Sequence, residues 1–123
     1  MLKDKASTAI VAVSDIARAT AFYRDTLGLD IADDSMGDVV VFRTGNTSLV
    51  VYRSEFAGTN KANAVVWDVG KEIDDIVADL AAKGVSFEHY EDMELQGDIH
   101  VAGRMKIVWF KDPDGNILHL NNM

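Results

Sequence analysis

Short apolar runs alternate along this chain with longer stretches in which apolar residues recur at helical spacing. The run Ala9–Val13 is rich in β-branched residues and predicts a buried strand. Ser14 and Asp15 follow it, and either side chain is a suitable helix cap. The predicted helix covers residues 16–27, and Gly28 ends it because glycine reaches positive φ at little cost. Further apolar runs predict strands at residues 29–32, 39–42 and 49–52, with a tight hairpin at 44–47.

The second half of the chain repeats this order. One offset, 56 residues, relates Val13 to Val69 and Gly28 to Gly84, so the halves are interpreted as two copies of one pattern. The order strand–helix–strand–strand–strand is therefore predicted twice. In the second copy the predicted strands are residues 64–67, 85–87, 105–110 and 117–120, with a helix at 73–80 and a dense turn at 112–116.

Residues 88–103 form the longest stretch without a regular pattern, and they are predicted to be irregular. The stretch is acidic and contains His89 and His100, so one interpretation is a metal site with imidazole and carboxylate ligands. The spacing fits no metal motif, however, and a solvated loop with a strand edge is the simpler interpretation. A loop of this length is also a candidate lid over a binding cavity.

Composition and charge restrict the classes of function. The chain has 123 residues, a formal net charge of −8 and no cysteine. The negative charge opposes binding to nucleic acid or to an anionic membrane surface, so neither partner is expected. Without cysteine there is no disulfide, thiolate metal site or cysteine nucleophile. No segment has the length of a signal-peptide core or a membrane span, and a cytoplasmic protein is expected.

Two motifs near the ends of the chain resemble segments of a known protein superfamily. Residues 13–29, VSDIARATAFYRDTLGL, and residues 109–120, WFKDPDGNILHL, resemble the first helix and the closing hairpin of the vicinal-oxygen-chelate superfamily. That superfamily includes glyoxalase I, extradiol dioxygenases, fosfomycin-resistance proteins and bleomycin-binding proteins. The resemblance implies an α+β fold of two tandem βαβββ modules, each a half-barrel sheet, around a shared cavity. It also implies a homodimer and one domain over residues 1–123, with modules at about 1–57 and about 62–123.

The resemblance also identifies where a metal would be bound. In metal-dependent members, His, Glu or Gln side chains from four strands hold the ion and leave an open side for substrate. The matching positions in this chain are Thr8, Val50, Ala64 and His119. Alanine and valine have no donor atom, and one histidine is too few for a catalytic metal. No metal or other cofactor is therefore expected. The alternative is a divalent metal, for which the 88–103 stretch must complete a site around His119.

The expected function is binding of a small organic molecule, as in the drug-binding branch of the superfamily. His119 is expected to face the cavity, where an imidazole hydrogen-bonds a ligand or moves a proton. The alternative is an enzyme: a metal-dependent lyase, isomerase or dioxygenase, or a metal-free catalyst that uses His119 for acid–base chemistry. A third possibility is an interaction module whose cavity is filled by side chains. The expected ligand-binding residues besides His119 are Thr8, Val50, Tyr52, Ala64, Trp109 and Ile117.

Overall fold

The first unit of the chain, Met1–Asn60, is a four-stranded sheet with one helical segment, in a computed structural model that describes all residues from Met1 to Met123. The strand order is β1-β4-β3-β2. The first and last strands of the unit, β1 and β4, are parallel, and the other neighbours are antiparallel. The elements are β1 (Ala9–Val13), α1 (Ile16–Ala21), β2 (Asp30–Asp33), β3 (Val39–Thr44) and β4 (Thr47–Arg53).

The helical segment of this unit begins and ends as the sequence predicts. Asp15 is the N-cap, and its Oδ1 accepts a hydrogen bond of 3.0 Å from the Arg18 backbone N–H. After Ala21 the helix widens into a π-helical turn, Phe22–Thr26. Gly28 follows at φ +76°, a left-handed conformation that glycine adopts without a Cβ penalty.

The core of the first unit lies on one face of its sheet. Tyr23 is fully buried, and its ring lies 5.8 Å from that of Phe42 on β3. Because side chains alternate along a strand, the residues between the buried ones belong to the opposite face. On β4 these are Val50 and Tyr52, which are both partly exposed. The buried strand residues are Val11, Val13, Val40, Phe42, Leu49 and Val51.

The second unit, Lys61–Met123, is built on the same plan with one more strand. Its sheet has the order β5-β9-β8-β7-β6, and the outermost strand β5 is parallel to β9. Both sheets are open rather than closed into barrels, and the mixed α+β fold class is confirmed. Neither α-helix has the length and apolar character needed to cross a membrane. The elements are β5 (Asn63–Asp68), α2 (Ile73–Ala82), β6 (Glu94–Gln96), β7 (Ile99–Ala102), β8 (Met105–Lys111) and β9 (Ile117–Asn121).

Two predictions for the second unit were wrong. Residues 85–87 are not a strand, because only Phe87 pairs, in an isolated bridge to Phe110. Residues 88–103 are not wholly irregular, because β6 and β7 form a hairpin within them. Every residue of β6 is exposed at the edge of the sheet, so this strand has no apolar pattern to detect. The solvated-loop interpretation also fails for His100, which lies on β7 with no exposed surface.

Candidate functional site

The candidate site is the face of the second sheet that carries Trp109 and His119. Directly opposite residues of antiparallel strands share a face, and Trp109 on β8 is opposite His119 on β9. Leu118 and Leu120, which flank His119 along the strand, are buried on the other face. The His119 ring lies 5.0 Å from the Trp109 ring at an interplanar angle of 55°. The fold thus brings together two residues that were predicted separately, from the sequence, to belong to the site.

An open pocket of about 310 Å³ adjoins His119. The rest of its lining is a continuous part of β5: Asn63, Ala64, Val65 and Val66. Val66 pairs with His119 across the parallel strands and is still 59% exposed. The register between β5 and β9 shifts between Asn63 and Val65, which breaks the simple alternation of side chains around Ala64. This irregularity explains how four consecutive residues of β5 line one pocket.

His119 is held as a neutral imidazole. Its Nε2 lies 3.4 Å from Nδ2 of Asn121, whose Oδ1 accepts a hydrogen bond of 3.2 Å from the Met123 backbone N–H. The amide therefore turns its N–H group toward the ring, so that Nε2 accepts and the ring proton is on Nδ1. Burial lowers the pKa of His119 below its usual value of 6.5, which favours the same neutral state. The buried Nδ1 has no hydrogen-bond partner.

An aromatic cluster extends from His119 across the sheet. The ring centroid of Trp109 lies 5.0 Å from that of Tyr90 and 4.9 Å from that of His100, with interplanar angles of 84° and 83°. Tyr90 is 39% exposed, whereas His100 is completely buried. Edge-to-face packing of this kind adds roughly 1 kcal/mol per pair beyond the area that is buried. The cluster is therefore a wall of packed rings that adjoins the pocket through His119.

The turn between β8 and β9 fixes the position of His119 opposite Trp109. Asp112 is almost completely buried, and its Oδ1 accepts hydrogen bonds of 2.9 Å from the backbone N–H groups of Asp114 and Asn116. Its Oδ2 accepts a third bond, of 2.8 Å, from the Asn116 side-chain amide. Gly115 adopts φ +87° within the same turn. The predicted turn thus sets the register of the hairpin that carries the site.

The other residues that were predicted to bind a ligand are not part of the pocket lining. In the first unit, Val50 is opposite Ile10 and Tyr52 is opposite Ala12, both on the face away from Tyr23. Thr8 is exposed and precedes β1, so it is not part of the sheet. In the second unit, Ile117 pairs with Lys111 and Asn63, two residues from His119 along β9. The ligand-binding roles of these residues stay predictions.

The residues at the family's metal positions do not fit a divalent ion. Val50 and Ala64 have no donor atom, and Thr8 has only a hydroxyl group. No group of three or more His, Asp or Glu side chains lies close enough to hold a metal. His100 cannot complete a site with His119, because Trp109 occupies the strand between them. The Nε2 lone pair of His100 is also occupied, by the Tyr90 backbone N–H at 2.8 Å.

Sequence reasoning missed several residues of this face. Tyr90 and His100 were assigned to an irregular stretch, and Val65 and Val66 were treated only as strand residues. The one available signal was the short apolar alternation at residues 99–102, which is too brief to separate a buried strand from a loop. Asn63 was not predicted to line the site, because the irregular register of β5 cannot be foreseen from its composition.

The comparisons with known proteins agree with the resemblance. A family model described as Glyoxalase/Bleomycin resistance protein/Dioxygenase superfamily matches residues 5–120. This match confirms the family that the two end motifs indicated. No curated protein matches the chain.

Several solved structures have the same fold at low sequence identity. Lactoylglutathione lyase from Agrobacterium tumefaciens is 20% identical with a TM-score of 0.72, and 96% of this chain and 92% of that chain are covered. A glyoxalase family protein from Enterococcus faecalis is 18% identical with a TM-score of 0.76, covering 98% and 99%. Fosfomycin resistance protein FosX from Mesorhizobium loti is 12% identical with a TM-score of 0.72, covering 100% and 94%. Identities this low show the shared fold and no more.

Proposed function

Because this chain belongs to the glyoxalase/bleomycin resistance protein/dioxygenase superfamily, we propose that it is a metal-free binding protein for a neutral, planar organic molecule. One observation carries the proposal. An uncharged histidine and an apolar strand line an open pocket beside a tryptophan. Apolar walls with a few placed polar groups are what small-molecule sites generally present.

The preference for a planar ligand follows from the wall beside the pocket. Trp109 and Tyr90 present large flat surfaces, and Trp109 is already in contact with His119. Aromatic rings stack on each other with offset or edge-to-face geometry, so a flat ring system gains contact here that a bulky aliphatic one does not. Tyr90 is partly exposed, which leaves ring surface available to a ligand.

The preference for a neutral ligand follows from the charges around the pocket. None of its lining residues is charged. Lys111, which pairs with Ile117 on this sheet, is bonded to Glu88 at 3.0 Å, and this carboxylate raises the pKa of Lys111. A buried anion or cation without a partner loses its hydration without compensation. A neutral molecule that bonds His119 or Asn63 avoids that cost.

The direct test compares three matched compounds by thermal shift: naphthamide, its anion analogue naphthoate, and the saturated decahydronaphthalene carboxamide. We expect naphthamide to raise the melting temperature most, since ligand at a hundred times Kd stabilises by about 2.7 kcal/mol. Trp109→Leu should abolish the effect. Trp67→Leu is the matched control, because Trp67 pairs with Leu120 on the other face of the same sheet. Equal effects of the three compounds would contradict the proposal.

The absence of metal chemistry is tested separately. Protein purified without a histidine tag is offered zinc, nickel, manganese, iron(II) and cobalt, and retained metal is measured by plasma mass spectrometry. We expect no near-stoichiometric retention, because three of the four family positions lack a suitable ligand. Retention of one metal together with lactoylglutathione lyase activity would support the enzymatic alternative instead.

A second candidate function is metal-free acid–base catalysis by His119. The observation that favours it is the lowered pKa of a histidine at the pocket, which keeps a free base available near neutral pH. A substrate identified among compounds that bind would then be turned over with a pH dependence that His119→Gln removes. The homodimer and the cytoplasmic location remain predictions; sedimentation equilibrium would test the first and fractionation of the native cells the second.

A further inference from the structure

His100 is a fully buried histidine that does not line the pocket. It lies on β7, opposite Leu95 on β6 and Ile107 on β8. Its side chain has no exposed surface, although histidine is usually found at intermediate burial. Because buried polar groups are normally hydrogen-bonded, the partners of the two ring nitrogens should account for this burial.

The two ring nitrogens of His100 have different surroundings. Nε2 accepts a hydrogen bond of 2.8 Å from the backbone N–H of Tyr90. An imidazole that accepts at Nε2 is neutral and carries its proton on Nδ1. That Nδ1 is buried and has no hydrogen-bond partner. The bond to Tyr90 is therefore the one hydrogen bond that the chain provides to this ring.

The bond to His100 acts on the segment that carries Tyr90. This segment, residues 88–93, crosses from Phe87 to β6 without helix or strand structure. Its first residue, Glu88, donates its backbone N–H to the Trp109 carbonyl at 2.8 Å and pairs with Lys111. The bond at His100 is the next attachment, and beyond it the Tyr90 ring meets Trp109 edge to face. The orientation of Tyr90 therefore depends on an acceptor at the Nε2 position.

We propose that His100 is a positioning residue of the pocket, whose Nε2 holds Tyr90 against Trp109 and so assembles the aromatic wall that a planar ligand contacts. The inference rests on the proposed function for its consequence in binding, but the contact itself exists without a ligand. His100 itself does not contact the ligand and acts only through Tyr90 and Trp109.

The first test needs neither ligand nor variant. Long-range proton–nitrogen NMR spectra distinguish the two neutral tautomers of a histidine. We expect His100 to carry its proton on Nδ1, which is the less common neutral form of the free histidine side chain. A proton on Nε2, or a charged ring at neutral pH, would overturn the proposal.

The second test measures hydrogen exchange of the Tyr90 amide in two variants. His100→Gln places an amide oxygen about as far along the side chain as Nε2, so it keeps an acceptor, whereas His100→Leu removes it. We expect protection to fall about tenfold or more in His100→Leu, as for loss of a bond worth about 1.4 kcal/mol, and to persist in His100→Gln. His89→Gln is the control, because His89 pairs with Asp98 at the surface. Equal protection in the Leu and Gln variants would refute the role.

The consequence for binding is measured with naphthamide as the probe. We expect its Kd to rise about tenfold in His100→Leu and to stay within about threefold of wild type in His100→Gln. If wild-type protein does not bind naphthamide, the proposed function fails, while the tautomer and the exchange data still decide the positioning role. If naphthamide binds equally to all three proteins, the wall does not depend on His100 and the inference is wrong.

Discussion

Replacement of Asp112 by alanine is the perturbation whose effect the structure defines best. The carboxylate accepts two backbone hydrogen bonds at Oδ1 and one side-chain hydrogen bond at Oδ2, and only 4% of the residue is exposed. A hydrogen bond to a charged group contributes about 1.5–3 kcal/mol. The three bonds share one acceptor group and two of them come from Asn116, so their contributions do not simply add. We expect Asp112→Ala to lower the free energy of unfolding by about 3–4 kcal/mol.

The assay is urea denaturation followed by circular dichroism, with thermal unfolding as a second measure. For a chain of this size, the expected loss lowers the melting temperature by on the order of 10 °C. Asp112→Asn is the matched control, because its remaining oxygen keeps both backbone bonds while its amide meets the Asn116 amide as donor against donor. Its cost should be about 1–2 kcal/mol. A loss below about 1 kcal/mol in Asp112→Ala, or equal losses in both variants, would refute the reasoning.

Three further predictions address other parts of the fold. Asp15→Ala should lower the free energy of unfolding by about 1 kcal/mol by removing the helix cap, and Asp15→Asn by much less; equal losses would contradict the capping role. Gly28→Ala should cost about 1–2 kcal/mol in urea denaturation, through φ +76° alone, since no atom lies within 4 Å of the added Cβ. For His119, the folded pKa is lower than the unfolded value of 6.5, so the unfolded chain binds more protons between the two, and stability falls as the pH decreases from about 6.5 to the folded pKa. His119→Gln should reduce this pH dependence in denaturation midpoints measured across the range, and an unchanged profile would exclude His119 as its source.

The fold was predictable because its signals are local and repeated. Apolar runs, the cap at Asp15 and the glycines at 28 and 84 each define an element boundary, and the structure has helices and most strands where these signals occur. The hairpin at β3 and β4 is also where the short polar turn indicated, with Thr44 opposite Thr47. Such features depend on the conformational preferences of a few neighbouring residues, and these preferences follow directly from the residue types.

The site was less predictable because it depends on register and on contacts between distant residues. Apolar runs placed Trp109 and His119 in strands, but only the pairing of β8 with β9 brings their rings together. His100 accepts a hydrogen bond from the backbone N–H of Tyr90, and no local pattern in an acidic stretch indicates that contact. Likewise, the shifted register of β5 decides that Val65 lines the pocket.

The parallel pairing at the edge of each sheet has a consequence for the order of folding. In both units the first strand pairs with the last, β1 with β4 and β5 with β9. The two paired strands are therefore separated in sequence by the rest of the unit. Closing so long a loop costs more entropy than forming the antiparallel hairpins, which are local. The hairpins should therefore be structured in the transition state and the parallel edges should join late. Changes in β1 or β5 would then mainly accelerate unfolding, whereas changes in the hairpin turns would slow folding.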